Sequence, residues 1–284
     1  MPLFHIVVLA VVQGITEFLP ISSSGHLIIG WKVLEVTTGV APPSASDQLA
    51  MDVAVHFGTL GAVMVYLWRE VWQILVGLAL ALRWRRSPGL SMFGLLVMAT
   101  VPIVVAGYLI KRYAGDSLRN VEIIAWASIG FGILLYVVDR LCLTVKRMEH
   151  MDVPGALVVG LAQVLALIPG TSRSGITMTA ARMLGYERPD AARFSMLLAI
   201  PVILAATALS SYEVYQAGNL RLGLDAAIGA AIAFAVALVA ILAMMSWLRR
   251  ASFTPFVIYR VLLGLVLLAW VYGFFARYLP APAL

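Results

Sequence analysis

The chain has 284 residues, 62% of them hydrophobic and 12% charged, against about half and about a quarter in soluble domains. Its 20 basic and 14 acidic side chains cannot coat a water-facing surface of this size, and a mean hydropathy of +0.96 puts lipid around most of the outside. This is the composition of an integral membrane protein. The net charge of +6 and the isoelectric point near 9.7 do not signal nucleic-acid binding, because Lys and Arg fall between apolar runs and not in one stripe. The single cysteine, Cys142, excludes an intrachain disulfide and any multi-cysteine metal site.

The first apolar region, Leu3–Leu34, has no basic start and is interrupted by Pro20 and a run of serines, so it reads as part of the mature fold and not as a cleavable signal. Its interruption is Leu-Pro-Ile-Ser-Ser-Ser-Gly-His, residues 19–26. Three stretches of spanning length follow: Leu49–Trp68, Leu90–Ile110 and Val121–Leu141. A helix needs about 20 apolar residues to cross a hydrocarbon core about 30 Å thick. A second interrupted region, Val153–Leu184, is broken by Pro-Gly-Thr-Ser-Arg-Ser-Gly at 169–175. Three more spans close the chain: Phe194–Tyr212, Leu222–Leu248 and Pro255–Phe275. Each half of an interrupted region is too short to span, and irregular backbone at membrane depth survives only beside protein or a watery cavity. The economical expectation is two re-entrant helical hairpins in an all-α membrane protein with six spans.

The two interruptions resemble each other. At a constant offset of 150, Gln13, Ser22, Ser24 and Gly25 meet Gln163, Ser172, Ser174 and Gly175. A hairpin with three spans, repeated once, enters the membrane from opposite faces, so the sequence predicts an inverted repeat of about 1–145 and 146–284 within one polytopic domain. Such repeats place their site near the midplane, between the halves. Eleven Lys and Arg fall in the connections 69–90, 142–153, 182–193 and 249–254, against six on the other side (Lys32, Lys111, Arg112, Arg119, Arg221 and Arg277). The positive-inside rule then puts the richer side in the cytoplasm and both termini outside.

Gln13 and Glu17 lie one helical turn apart and share a face. A carboxylate inside an apolar run costs about 2.5–3.5 kcal/mol to insert and by default marks a function. His26 follows a glycine and can serve as acid, base, nucleophile or metal ligand. In the second break, Ser172, Arg173, Ser174, Gly175 and Thr177 precede a helical run. A helix N-terminus with an added guanidinium suits phosphate, and Gly175 would let backbone approach a ligand. The bland alternative is that these serines merely cap helices, that Arg173 snorkels to an interface, and that Glu17 forms a structural ion pair. An intramembrane carboxylate and histidine facing an anion cradle suggest phosphoryl chemistry. His56, in a span with Gly58 and Gly61, either lines the cavity or is incidental; His5 and His150 read as incidental. The Gly58/Gly61 and Gly130/Gly132 pairs read as close-packing sites, and the Arg83-Trp-Arg-Arg stretch as an interfacial anchor.

At these residues the sequence resembles the bacterial undecaprenyl-diphosphatases of the bacitracin-resistance type. QGITEFLPISSSGH looks like their first signature and PGTSRSGIT like their second, with FSMLLAIP at 194–201 and PFVIYR at 255–260 in support. The resemblance covers nearly the whole chain. It implies hydrolysis of undecaprenyl diphosphate to undecaprenyl phosphate and inorganic phosphate in the bacterial inner membrane, from a site open to the outer face. It also implies dependence on a divalent cation, Mg²⁺ or Ca²⁺. Glu17, Ser23, His26 and Arg173 become the expected essential residues, with Gln13, Ser22, Ser172, Ser174, Gly175 and Thr177 around the diphosphate, and Glu17 with Gln13 as the metal position. Two departures stand out: Gln13 occupies a position where many members carry Glu, and His56 one where Gln is expected. The attacking group is left open between Ser23 with His26 as base, His26 itself, and cation-bound water. The implied partners are a polyprenyl diphosphate and the bilayer, and a homodimer is compatible with the chain. A transporter or flippase of a phosphorylated polyprenyl lipid is the alternative function, since inverted repeats with hairpins are also transporter architecture.

Overall fold

The computed structural model describes residues 2–38, 44–113, 120–142, 145–216 and 223–274. Among them the chain is helical, apart from an isolated bridge between Lys146 and Tyr186. Among the described residues, six helices are long and apolar enough to cross a membrane. They are α3 (Ala45–Tyr66), α5 (Pro88–Tyr113), α6 (Val121–Leu141), α9 (Arg188–Gln216), α10 (Gly223–Leu248) and α11 (Thr254–Val271). These are the six spans expected from the sequence, and α6 agrees to the residue. The protein is a multi-pass helical membrane protein. Leu222 and Phe275, where two expected spans begin and end, lie outside the described residues, as do Arg119, Arg221 and Arg277 of the charge count.

The two interrupted regions fold as pairs of shorter helices. The first holds α1 (Leu3–Thr16) and α2 (Ser23–Thr38). After α4 (Trp68–Ala81), the second holds α7 (Val153–Gln163), a 3-10 turn (Val164–Leu167) and α8 (Arg173–Met183). Within each pair the two helices pack on one another, and α1 lies against α10 while α7 lies against α5. Helix α4 departs from expectation, because residues 69–90 read as a connection. At 14 residues it is too short to span, which is why a search for spans passes over it. It packs on α5 where Gly77 and Gly89 bring the backbones together: a Cβ on Gly89 would sit 2.0 Å from the Gln73 carbonyl oxygen. Trp68 and Trp72 remain exposed on its outer face, as suits side chains at a membrane interface.

Close helix packing rests on glycine in the manner expected for α3 but not for α6. A Cβ on Gly58 would lie 2.1 Å from the Ala230 carbonyl oxygen of α10, and one on Gly61 would touch Phe234. Gly132 faces Arg260, but Gly130 faces open space, so only one member of that second pair serves packing. The main apolar cluster includes Phe18, Met178, Phe194, Leu197, Met244 and Phe253.

One buried charge cluster ties the ends of several helices. Asp139 near the end of α6 receives Arg182 of α8 at 3.0 Å and Arg188 of α9 at 2.8 Å. Its second oxygen accepts the Phe253 N–H ahead of α11 at 3.3 Å. Glu70 of α4 similarly pairs with Arg193 of α9 at 2.7 Å.

Candidate functional site

Both breaks turn at a serine in the left-handed region, Ser22 at φ 75° and Ser172 at φ 71°. A side chain there costs about 1–3 kcal/mol and persists only where the surroundings enforce it. Each serine immediately precedes a helix, α2 from Ser23 and α8 from Arg173. Ser172 is a cap, its Oγ accepting the Gly175 N–H at 3.1 Å, so the bland reading of that residue is correct as far as it goes. Gly170 also needs its positive φ of 93°, and a Cβ there would lie 2.4 Å from the Ile124 carbonyl oxygen.

The break residues converge on one carboxylate. Glu17 is 5% exposed. Its Oε2 accepts Gln13 Nε2 at 2.8 Å from the previous helical turn and Ser23 Oγ at 2.7 Å from the start of α2. Its Oε1 accepts Arg173 Nη2 at 2.9 Å, from the second break. His56 of α3 brings Nε2 to 3.7 Å from Oε2, so it stands beside this carboxylate. Arg173 Nη1, Ser22 Oγ, Thr171 Oγ1 and Gln13 Oε1 are buried and make no hydrogen bond to the protein. Buried polar atoms are nearly always partnered, so two donor hydroxyls and a guanidinium N–H without partners are what an anionic ligand would satisfy. Ser23 is half-buried and therefore reachable.

Other predicted site residues hold the loops together. Ser174 Oγ donates to the Leu19 carbonyl at 2.7 Å and sits 3.1 Å from Ser172 Oγ, joining the second break to the first. Thr177 Oγ1 bonds the Arg173 carbonyl at 2.9 Å and Ser195 Oγ of α9 at 2.7 Å. His26 lies apart from the Glu17 cluster in its bonding: Nδ1 is 2.6 Å from the Ser22 carbonyl and Nε2 is 2.6 Å from Tyr259 Oη. A carbonyl only accepts, so Nδ1 carries a proton, and in the neutral ring Nε2 accepts from the tyrosine. Ser23 is thus bonded to Glu17, and His26 to Tyr259.

Arg260 is the residue that sequence reasoning missed. It is fully buried in α11 and donates to main-chain carbonyls of both breaks: Nη1 to Pro20 at 3.4 Å, Nη2 to Gly170 at 3.0 Å and to Thr171 at 2.8 Å. Nε bonds the Ser128 carbonyl of α6 at 3.1 Å. The Gly175 Cβ position would lie 2.8 Å from Arg260 Nη1, so that glycine makes room for the arginine. A signal was present, since a basic residue well inside an apolar span is as unusual as Glu17.

For a divalent cation, the donors are few. Among the described residues no group of three or more His, Cys, Asp and Glu side chains gathers. Glu17 carries the charge, and the unpartnered Gln13 Oε1 adds a second hard oxygen beside it. Glu17 Oε1 and Oε2 already accept Arg173, Gln13 and Ser23, so a cation held there, its shell completed by substrate phosphates and water, would displace one of those contacts.

A buried carboxylate–arginine contact where two interrupted regions meet, among six described helices long and apolar enough to cross a membrane, defines a polytopic helical membrane protein. Residues 6–266 match the family model described as bacitracin resistance protein BacA. The chain is 49% identical to undecaprenyl-diphosphatase 1 of Rhodospirillum rubrum over 274 residues, 96% of each chain. It is 48% identical to the undecaprenyl-diphosphatase of Ruegeria pomeroyi and 44% to that of Roseobacter denitrificans, covering 96% of this chain and 100% of each relative. The protein belongs to the BacA family of bacitracin resistance proteins.

Proposed function

We infer that the protein hydrolyses undecaprenyl diphosphate to undecaprenyl phosphate and inorganic phosphate, renewing the lipid carrier of cell-wall synthesis and giving resistance to bacitracin. The carrying observation is the contact of Arg173 with Glu17, which couples both signature breaks in one buried centre. The names of the relatives support hydrolysis and give no support to a transporter. The setting is the bacterial plasma membrane with the site open to the outer face, as the family resemblance implies, and with both termini outside, as the charge count favours. An inverted repeat is supported by Ser22 and Ser172 in the same backbone region, and by α1 on α10 beside α7 on α5.

Arg173 Nη1, with the hydroxyls of Ser22 and Thr171, would bind the terminal phosphate and meet the charge that develops on it. Ser23 Oγ attacks the terminal phosphorus and passes its proton to Glu17, 2.7 Å away. The bridging P–O bond breaks, and Glu17 gives that proton to the departing undecaprenyl phosphate. Water then cleaves the phosphoserine: Glu17 takes its proton and returns it to Ser23 Oγ, and inorganic phosphate leaves. His26, held by Tyr259, orients the start of α2. Glu17 and Gln13 would hold a divalent cation, Mg²⁺ or Ca²⁺, whose chemistry is to neutralise phosphate charge. The test is phosphate release from undecaprenyl diphosphate by purified protein in detergent, with and without either cation, beside Arg173→Ala. Cation-dependent release that is lost in the variant supports the reading; no release by well-folded wild-type protein overturns it.

A further inference from the structure

The polar centre has an apolar neighbour. A cavity of about 720 Å³ runs along the outside of α1, α10 and α11, in the size range of sites for small organic ligands. Ile15 and Leu19, the residues two before and two after Glu17, form one wall, Val239 and Ala243 of α10 line another, and Trp247 and Phe256 also border it. Ala235, Ala240 and Ala243 put small side chains on the α10 wall. Leu19 joins this cavity to the centre: its side chain lines the groove while its carbonyl accepts Ser174 Oγ of the second break at 2.7 Å. A groove that starts at the break and is lined by hydrocarbon cannot receive a phosphate, but it can receive what a phosphate ester carries.

We propose that this groove seats the polyprenyl tail of the diphosphate substrate while the headgroup occupies the Glu17–Arg173 centre. The proposal rests on the diphosphatase reading above and adds to it the seat of the tail. A diphosphate ester must put its charge between the breaks and keep its hydrocarbon out of them, and Leu19 is where these two demands meet. Branched isoprene units fit between the Ala-lined α10 face and the Ile15–Leu19 wall, so the tail contributes binding energy remote from the reacting bond.

The experiment compares wild type with Ala243→Trp, which fills the groove, and Leu242→Trp, which puts the same side chain on an exposed neighbour outside it. Steady-state constants are measured for undecaprenyl diphosphate and for farnesyl diphosphate. The expected result is a rise in KM of about tenfold for the long substrate in Ala243→Trp, with farnesyl diphosphate within about twofold and Leu242→Trp unchanged. Equal effects on both substrates, or none on the long one, overturn the proposal. Undecaprenyl diphosphate carrying a tail diazirine gives a readout that needs no turnover. Photolabel within 235–247 that unlabelled undecaprenyl diphosphate competes away supports the seat, even if the protein releases no phosphate and the diphosphatase reading falls. Label spread over other helices, or insensitive to that competitor, assigns the groove to bulk lipid and overturns the proposal.

Discussion

Glu17 and Arg173 are separated by 156 residues in the chain and by 2.9 Å between Oε1 and Nη2. The contact joins the two breaks, so it exists only when they are packed together. Removing a donor aimed at developing charge typically costs about 10²–10³ in rate, and Arg173→Ala should lower kcat/KM for undecaprenyl diphosphate by that amount. Arg173→Lys should recover little, because a compact ammonium lacks the rigid planar fork that can hold Glu17 with one arm and meet phosphate with the other. In the double-mutant cycle with Glu17→Ala, phosphate-release rates should be non-additive by more than about 1 kcal/mol, as for groups in one network. Strict additivity would show that the contact has no part in turnover.

The separate bonding of Ser23 to Glu17 and His26 to Tyr259 is the basis for proposing Ser23 as the attacking group. Rapid quench with substrate labelled in the terminal phosphate should trap phosphate on Ser23 and none on His26. Tyr259→Phe removes one hydrogen bond to the imidazole, worth about 0.5–1.5 kcal/mol, and should leave turnover within about tenfold of wild type. A phosphohistidine, or a collapse of Tyr259→Phe to the level of Arg173→Ala, would make His26 the reacting group.

Arg260 should behave as a clamp. Its guanidinium satisfies carbonyls of Pro20, Gly170, Thr171 and Ser128, and each buried acceptor left unpartnered costs about 1–3 kcal/mol. Arg260→Met should therefore lower the thermal midpoint in detergent by more than any single substitution at Ser23 or His26. Arg260→Lys should recover only part of that loss, since a point ammonium cannot span α6 and both breaks. A midpoint unchanged in Arg260→Met would remove the clamp from the fold.

The spans were legible because hydrocarbon thickness leaves few ways to arrange apolar residues, and Glu17 and Arg173 because charge at that depth is costly. Arg260 escaped although PFVIYR at 255–260 carries it and a charge inside an apolar span is itself a signal. Its partners are main-chain carbonyls of loops far away in sequence, and no side-chain pattern announces a carbonyl. Helix α4 escaped by being too short for the criterion that found the others. The bonding of Ser174 and Thr177 was hidden by the same ambiguity that makes a serine before a helix both a cap and a ligand. The Gly175 N–H on Ser172 Oγ, and not the identity of the residue, shows that it caps.

The contrast between Gly58 and Gly130 tests the packing directly. A Cβ at Gly58 would lie 2.1 Å from the Ala230 carbonyl oxygen, whereas one at Gly130 meets nothing within 4 Å. Gly58→Ala should destabilise by about 1–3 kcal/mol, the usual cost of overpacking, and lower the thermal midpoint in detergent; Gly130→Ala should fall within about 0.5 kcal/mol of wild type. Equal behaviour of the two would mean that α3 and α10 can part without cost.

Asp139 gives the sharpest stability prediction. It is buried with Arg182, at 2% and 3% side-chain exposure, and also meets Arg188 and the Phe253 N–H. Replacing it with Ala leaves the Arg182 guanidinium buried without its carboxylate, a loss of about 3–5 kcal/mol for a broken buried pair. Asp139→Asn keeps the acceptor for Phe253 and the side-chain volume but removes the charge, so it should fall between Ala and wild type. The Glu17 centre lies elsewhere on the helices, so protein that stays folded below its midpoint should retain kcat for undecaprenyl diphosphate. Thermal unfolding in detergent, followed alongside phosphate release, reads both quantities. A normal midpoint in Asp139→Ala would deny this cluster its role in tying α6, α8 and α9 together, and a normal midpoint with lost kcat would place it in the chemistry.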